Sequence, residues 1–230
     1  PTREIVEMAK SHGVETIVDG AHAPGMLDRP VADIGDPVAW TGNLHKWPCA
    51  LRGTAVLVVR SDFEDRIKPT VISHHLDQAF TAEFDWQGTF DPAPWILAKD
   101  AIGFMDRFGG WAEVRRRNRE LTITAHAMLV ERFGVEPISP VDGSSLGFIA
   151  TLPLPDRLQP DGGGPPLPST EPKSGPLAVA VDPVQERLLK DHRIEIPVMY
   201  HGGRRFVRFS VHVYNEFDEY EWLADAIDSC

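Results

Sequence analysis

An acid, two histidines and a lysine stand after two short apolar runs near the start of the sequence. Asp19 follows the first run, with His22 shortly after it, and His45 and Lys46 follow the second. A lysine acts as a nucleophile only as the neutral amine, which apolar neighbours such as Trp47 favour because they disfavour the ammonium charge. The spacing indicates a site with an acid and an amine at two strand ends. A lone lysine in a loop is more often a solvated surface residue.

The elements around these residues predict an α/β fold. A helix capped by Thr2 and ending near Gly13 precedes the run Val14 to Val18, whose β-branched residues are typical of a strand buried in a parallel sheet. Thr54 to Val59 predicts another strand, so Lys46 lies in a connection between strands. Open α/β sheets bind ligands at the carboxyl ends of their strands, where the acid of this sequence is expected to lie.

The middle of the chain is predicted to be a loop followed by helices. Ile72 to Thr89 has no clear periodicity and is expected to form a long loop with at most one strand. Asp91 and Pro92 are suited to start a helix, and a longer helix is expected from Trp111 to Phe133. Residues 1–115 are therefore assigned to one domain, which ends within this pair of helices.

Residues 116–230 are predicted to form a small α+β domain. A Pro/Gly-rich segment at about 153–176 has too little apolar surface to fold and is expected to be a flexible insertion. Asn215 and Asp218 are expected to cap a last helix. The other elements expected in this domain are three strands and a helix, at Leu146 to Leu152, Ala178 to Val181, Arg205 to Val213 and Pro183 to His192.

Charge and cysteine content exclude several classes of function. The formal net charge is −11, which repels nucleic acid and anionic membrane surfaces. The only cysteines are Cys49 and Cys230, too few for a disulfide framework or a four-thiolate zinc site, which favours a reducing, cytoplasmic location. No apolar run approaches the roughly 20 residues that span a bilayer. We therefore expect neither a nucleic-acid partner nor a membrane partner.

Other residues leave competing interpretations open. Asp19, His22 and His45 could ligate a metal ion, although their spacing matches no established metal motif. Arg208 alternates with apolar residues on a predicted strand, so its guanidinium either grips a carboxylate or phosphate or forms a structural ion pair. A serine hydrolase is disfavoured because no G-x-S-x-G turn occurs. Cys49 has no neighbour that would lower its thiol pKa, so we interpret it as a packing residue.

The sequence resembles the fold type I pyridoxal-phosphate enzymes, in the class V aminotransferase family, and most closely the isopenicillin N epimerase-like branch. The resemblance rests on ordered segments that cover most of the chain, namely IVDGAHAPG, TGNLHKWPCALRGTAVL, AEFDWQGTFDPAPW, IEIPV and VRFSVHVYN. It implies the C-terminal portion of such an enzyme. Residues 1–115 would then belong to a PLP-transferase-like large domain, mostly parallel sheet with helices, followed by the small C-terminal domain.

The resemblance implies a role for each residue that matches the family pattern. Lys46 matches the lysine that forms the Schiff base with pyridoxal 5′-phosphate, and Asp19 matches the acid that bonds the pyridinium nitrogen. His22 occupies the position that contacts the phenolic oxygen of the ring. The residues that match the phosphate-binding positions are Thr41, Asn43 and His45. Leu51 and Arg52 depart from the Pro-Lys pair usual in the family.

The same resemblance implies a partner subunit and an amino-acid substrate. Gly88 and Thr89 match the loop that reaches the cofactor phosphate of the other subunit, which implies a homodimer. Arg208 matches the arginine that binds the α-carboxylate of the substrate. The residue that stacks on the ring and a further phosphate loop would lie in a preceding part of the polypeptide.

The resemblance leaves the reaction open. A cysteine desulfurase would need a reactive cysteine shortly before Arg208, and the stretch RIEIPVMYHGGRRF has none. Desulfuration is therefore disfavoured, while epimerisation, transamination and elimination of the lyase type all stay open. The alternatives are a catalytically incomplete fragment or non-catalytic binding module of the same fold and, less in keeping with the motifs, a metal-dependent hydrolase.

Overall fold

The computed structural model describes residues 1–167 and 181–230. The chain forms two compact units, residues 1–115 (unit 1) and residues 116–230 (unit 2). Each unit contains helices and its own three-stranded sheet. The predicted α/β character is thus confirmed at the level of a mixed fold.

Unit 1 is built on a sheet whose middle strand carries the sequence before Lys46. Its first elements are α1 (Thr2–Ser11), β1 (Ile17–Asp19), β2 (Ala39–Asn43) and β3 (Ala55–Val59). The strand order is β1-β2-β3, with β1 parallel and β3 antiparallel to β2. In this register Asp19 lies opposite Thr41, and Asn43 lies opposite Ala55. The predicted connection between two strands therefore exists, and it contains Lys46.

Two expectations for the start of the chain were wrong. Within the described residues β1 pairs only with β2, and Ile17 is 74% exposed, so the strand expected to be buried is exposed in this chain. Thr2 is the first helical residue, and the position before it is Pro1, so the side chain of Thr2 does not cap the helix.

The rest of unit 1 consists of short helices. Two 3₁₀ turns, Ser61–Arg66 and Met105–Phe108, accompany α2 (Phe80–Asp85), α3 (Ala93–Ile96) and α4 (Ala98–Phe104). The segment expected to be a loop with at most one strand thus contains a helix. The physical reason lies in Glu83, which is 2% exposed and accepts hydrogen bonds from the Lys68 ammonium and the Asp77 amide, at 2.7 and 3.0 Å.

Unit 2 packs helices on an antiparallel sheet. After α5 (Gly110–Phe133), which begins in unit 1, its elements are β4 (Ile149–Pro153), α6 (Pro183–His192), β5 (Val198–His201), β6 (Arg204–Ser210) and α7 (Phe217–Ser229). The strand order is β4-β6-β5. Val207 and Phe209 of β6 face the core, together with Leu129 of α5 and Ile227 of α7. The predictions of α5 and α6 are confirmed.

The beginning of the Pro/Gly-rich segment is folded, which corrects the expectation that all of it is flexible. Leu154 and Leu158 are 0% and 3% exposed within the core of unit 2. The Arg205 guanidinium donates to the carbonyls of Leu158 and Pro166, at 2.9 and 2.7 Å, and so fixes this part of the chain. Residues 168–176 of the expected insertion, and the strand expected at 178–181 except Val181, lie outside the described residues.

The last helix is capped by a different residue from those expected. Glu216 is the N-cap, and Glu216 and Glu219 form a reciprocal capping box, which satisfies two amides at the start of α7. Asn215 donates its side-chain amide to Glu219 and so supports this cap. Within residues 1–167 and 181–230, no helix is both long and apolar enough to cross a membrane.

Candidate active site

Lys46 lies in the connection between β2 and β3, half-buried. This connection is closed by backbone hydrogen bonds, since the Ala50 amide donates to Leu44 at 3.0 Å and the Cys49 amide donates to Lys46 at 2.9 Å. Cys49 has a positive φ of 58°, which the tight turn requires. The side chain of Cys49 is exposed, so its interpretation as a packing residue was wrong. The backbone of the connection thus determines where the lysine side chain starts.

The amine of Lys46 meets the imidazole of His22. Lys46 Nζ lies 3.1 Å from His22 Nε2, so the amine donates a hydrogen bond when that ring nitrogen carries no proton. The ring of His22 lies beside the indole of Trp47, with centroids 5.9 Å apart, and Trp47 is 7% exposed. The structure therefore brings together two of the residues that the sequence analysis had selected.

Asp19 is the last residue of β1, and the turn that contains His22 follows it. One carboxylate oxygen of Asp19 accepts a hydrogen bond from the Ala21 amide at 2.9 Å. The Gly20 amide donates to Thr41 at 2.8 Å, so the turn after β1 is tied to β2. Asp19 and Thr41 are register partners at the same edge of the sheet. This is the edge at which open α/β sheets place ligand-binding groups.

A buried tryptophan explains two glycines at this edge. Trp40 is 4% exposed, and a Cβ atom at either Gly20 or Gly42 would overlap its indole ring. Only glycine, which has no side chain, therefore fits at these two positions beside the indole. Gly25, with φ +82°, is likewise confined, since a Cβ there would lie 2.6 Å from the ring of Trp111.

His45 has a fixed ring orientation. Its Nδ1 lies 2.9 Å from the carbonyl oxygen of Thr54. A carbonyl oxygen can only accept, so Nδ1 carries the proton and Nε2 is the nitrogen left for a ligand. Asn43 continues β2 up to this point, and its amide donates to Ala21 at 3.4 Å.

Gly88 and Thr89 lie in a bend between α2 and α3. Gly88 has φ +112° with open space where a Cβ would lie, and Thr89 is exposed. Across the described residues, no hydrogen bond joins either of them to Lys46 or His22. Their predicted role toward a partner subunit stays a prediction.

Arg208 lies in unit 2, on β6. Its amide donates to Pro197 at 3.2 Å, and its side chain lines a pocket of about 680 Å³ together with Ile196, Tyr214 and Trp222. The buried Nε has no hydrogen-bond partner, and the part of the chain that the structure describes forms no ion pair with this guanidinium. The alternative of a structural ion pair therefore finds no support, whereas an unpaired guanidinium in a pocket is suited to a carboxylate.

Arg117 lies in a basic run on α5, and its contacts were not predicted from the sequence. Its guanidinium donates to the carbonyls of His212 and Asn215, at 3.2 and 2.8 Å, and to the carboxylate of Glu216 at 2.9 Å. These bonds hold the segment that directly follows β6. Arg208 lies on that strand. A run of arginines on a helix resembles a solvated face, so no sequence signal distinguished it.

The metal alternative lacks a ligand set. Among residues 1–167 and 181–230 no three histidine, cysteine or acidic side chains come together in a way that could hold a metal ion. Of the three ligands considered, His22 faces the Lys46 amine through Nε2, and Asp19 already accepts from the Ala21 amide. A cation beside a candidate ligand opposes metal binding.

Curated relatives match nearly the whole chain. It is 29% identical to a putative L-cysteine desulfhydrase 1 of Oryza sativa subsp. japonica, over 99% of this chain and 48% of that protein. It is 27% identical to isopenicillin N epimerase of Streptomyces clavuligerus, over 100% of this chain and 56% of that protein. The chain thus spans about half the length of the curated relatives that it matches.

Solved structures with the same fold are more distant in sequence. The cysteine desulfurase of Thermococcus onnurineus NA1 superposes with a TM-score of 0.69 at 20% identity, over 99% of this chain and 55% of that one. An alanine–glyoxylate aminotransferase from Nostoc sp. gives a TM-score of 0.66 at 15% identity, over 100% and 57% of the two chains. At these identities the similarity is one of fold.

The sequence of residues 1–154 matches the family described as Aminotransferase class-V. This range includes the strand ends, the turn and the lysine described above, and it covers well over half of the chain. The chain belongs to the class-V aminotransferase family.

Proposed function

We propose that this chain supplies the lysine-bearing wall of a pyridoxal 5′-phosphate site in an enzyme that acts at the α-carbon of an amino acid. The observation that carries the proposal is the 3.1 Å contact between Lys46 and His22, in a turn beside the strand end of Asp19. The class-V aminotransferase and cysteine desulfurase families depend on this cofactor.

The polar side chains of this site are complementary to the polar groups of the cofactor. Lys46 is an amine suited to a carbonyl carbon, and Asp19 is a carboxylate suited to a protonated ring nitrogen. We propose that His22 contacts the phenolic oxygen of the ring. The phosphate would be held by Thr41, Asn43 and His45. When bound, pyridoxal phosphate supplies a ring that accepts electrons when a bond at the α-carbon breaks.

The residues of this chain then divide the work of proton transfer and binding. Lys46 is the base and acid that moves a proton at the α-carbon. His22 holds the lysine amine in place through the contact at Nε2 and exchanges a proton with it. Asp19 keeps a proton on the ring nitrogen through its negative charge.

We propose that Arg208 binds the α-carboxylate of the substrate. The support lies within unit 2, where the guanidinium faces a pocket of about 680 Å³ and its Nε has no partner among the described residues. A guanidinium grips a carboxylate through two parallel hydrogen bonds, which fixes orientation as well as affinity.

The wider context of the enzyme also belongs to this proposal. We propose that unit 1 is part of the large cofactor-binding domain and that unit 2 is the small C-terminal domain. We further propose a homodimer in which Gly88 and Thr89 reach the cofactor phosphate of the partner subunit. We also propose a cytoplasmic location, because two cysteines, Cys49 and Cys230, are too few for a disulfide framework.

The reaction type is proposed only as a class. One relative at 29% identity is named a putative L-cysteine desulfhydrase, and another at 27% is named isopenicillin N epimerase. The described cysteines are Cys49 and Cys230, and neither lies in the stretch before Arg208 where a desulfurase would need one. Elimination, epimerisation and transamination are therefore the reactions to compare.

Cofactor uptake tests the proposed function directly. The full-length protein is mixed with pyridoxal phosphate and dialysed, and its visible absorption is then recorded. We expect a visible band that survives dialysis, and an amino-acid panel assayed for sulfide, keto acid and inversion then identifies the reaction. A protein that retains no cofactor would show that the enzymatic proposal is wrong and would favour the non-catalytic module.

Asp19→Asn separates cofactor binding from turnover. Asparagine retains an oxygen that can accept from the Ala21 amide, so the turn should be preserved. Without the negative charge the ring nitrogen loses its proton, and we expect kcat to fall by about 10²–10³-fold, the range for loss of one electrostatic group in an active site. Steady-state kinetics are compared with Asp33→Asn, a change at an exposed acid. Equal kcat values for the two variants would contradict the role of Asp19.

A further inference from the structure

Thr54 is a buried residue at the end of the connection between β2 and β3, which we call the Lys46 turn. It is 0% exposed, and it is the last residue before β3, at the opposite end of the connection from Leu44. Its backbone and its side chain both make hydrogen bonds to other parts of unit 1. Neither the family match nor the predicted site residues single it out.

The carbonyl of Thr54 fixes the residues just before Lys46. It accepts a hydrogen bond from the Leu44 amide at 3.0 Å, which extends the β2–β3 ladder past Asn43 and Ala55. It also accepts from Nδ1 of His45 at 2.9 Å. A shift of the Thr54 backbone would therefore move both the chain and the imidazole that precede the lysine.

The hydroxyl of Thr54 reaches two other segments. Oγ1 lies 2.7 Å from the carbonyl oxygen of Leu51 and 3.2 Å from that of Pro94. Both partners are acceptors, so the single hydroxyl proton is shared between them, with the shorter bond to Leu51. Leu51 lies in the Lys46 connection, whereas Pro94 lies in α3, the helix that follows the bend containing Gly88 and Thr89.

We propose that Thr54 is a positioning residue that sets the Lys46 turn and ties it to α3. The inference rests on the proposed function of Lys46, and it adds a residue that touches neither cofactor nor substrate. The hydroxyl bridges the connection to α3, and the carbonyl holds the start of the turn. Without the hydroxyl, the Pro94 carbonyl loses this donor and the Leu51 carbonyl keeps only the Thr54 amide, at 3.3 Å, so the turn is held less tightly.

Thr54→Val removes the hydroxyl and retains the shape of the side chain. In the full-length protein, the rate at which pyridoxal phosphate becomes fixed to Lys46 by borohydride reduction is measured by peptide mass. We expect this rate to fall by about tenfold, as the loss of one buried hydrogen bond implies. Thr54→Ser, which keeps the hydroxyl, should restore it. The control is Thr122→Val, because Thr122 is also 0% exposed and donates to a carbonyl, that of Asn118, at 2.7 Å, but lies in unit 2.

The outcomes distinguish this inference from the proposed function. Equal labelling of Lys46 in Thr54→Val and Thr122→Val, with wild-type protein labelled normally, would overturn the role of Thr54 alone. A Thr54→Ser variant as slow as Thr54→Val would do the same, since the hydroxyl would not be the group that matters. Failure to label Lys46 in the wild type would overturn both proposals.

A measurement on unaltered protein covers the case in which Thr54→Val does not fold. Hydrogen exchange is followed at the Leu44 amide, which donates to the Thr54 carbonyl. We expect exchange at least about a hundredfold slower than in an unstructured peptide, because a stable hydrogen bond must open before the amide exchanges. Exchange at the unstructured rate would show that Thr54 does not hold the turn.

Discussion

Lys46→Ala should abolish the visible band that pyridoxal phosphate gives with this protein and lower turnover on the order of 10⁴–10⁶-fold. The amine is the only group at the Lys46–His22 contact suited to attack a carbonyl carbon. Removal of a residue that acts within a catalytic unit costs rate factors of this order, because the remaining residues cannot replace its chemistry. Absorption spectra and kcat of the purified variant provide the measurement.

Two variants serve as controls for this loss. Lys99→Ala removes an exposed lysine of α4 and should leave both the band and the rate unchanged. Lys46→Arg keeps a positive charge near His22 but lacks a reactive amine, so it should fail in the same way as Lys46→Ala. A visible band that persists in Lys46→Ala would refute the assignment of the lysine.

Arg205→Ala should destabilise unit 2 by about 3–5 kcal/mol, the cost of leaving one partner of a buried ion pair unpaired. The Arg205 guanidinium and the Asp182 carboxylate are both 0% exposed, and they meet at 2.7 Å. The same guanidinium donates to the carbonyls of Leu158 and Pro166. The variant therefore leaves two carbonyls and one carboxylate oxygen of Asp182 without the guanidinium, while the other carboxylate oxygen keeps the Val184 amide.

Chemical denaturation of the full-length protein measures this effect. Arg204→Ala is the matched control, because the neighbouring Arg204 is 53% exposed and lies 3.8 Å from Asp156, an exposed pair that contributes little. Arg205→Met combined with Asp182→Leu should recover much of the lost stability, because no charge is then left buried alone. A midpoint for Arg205→Ala equal to that of Arg204→Ala would contradict the account.

Elements with strong periodicity could be predicted from the sequence. The expected helix from Pro183 to His192 forms over those residues, because Asp182 caps it and proline occupies the first turn. The long helix that ends at Phe133 was also foreseen, since Ala125 and Leu129 recur at helical spacing and are both fully buried. In these cases local preference and burial agree.

Elements that depend on distant partners could not be predicted. The helix Phe80–Asp85 depends on the contacts of Glu83 with Lys68 and Asp77, and no local pattern signals those contacts. The burial of Leu154 and Leu158 likewise depends on Arg205, which lies far along the sequence. Composition alone suggested a flexible segment there, and tertiary hydrogen bonds override that tendency.

The candidate site was predicted in its residue types and only partly in its geometry. The apolar runs before Asp19 and Lys46 suggested strand ends, and the structure gives Asp19 a place at the end of β1. The contact between Lys46 and His22 could not be derived, because it depends on the register of β1 with β2 and on the closure of the turn. The hydrogen bonds of Thr54 could not be predicted either, because they also depend on how the connection closes.

The position of a covalently trapped cofactor tests the central proposal most directly. Full-length protein is incubated with pyridoxal phosphate, reduced with borohydride and digested, and the modified peptide is identified by its mass. The proposed function predicts that the phosphopyridoxyl group lies on the peptide that contains Lys46 and that Thr54→Ser retains it. A label found instead on an exposed lysine such as Lys99, or on no peptide at all, would contradict it.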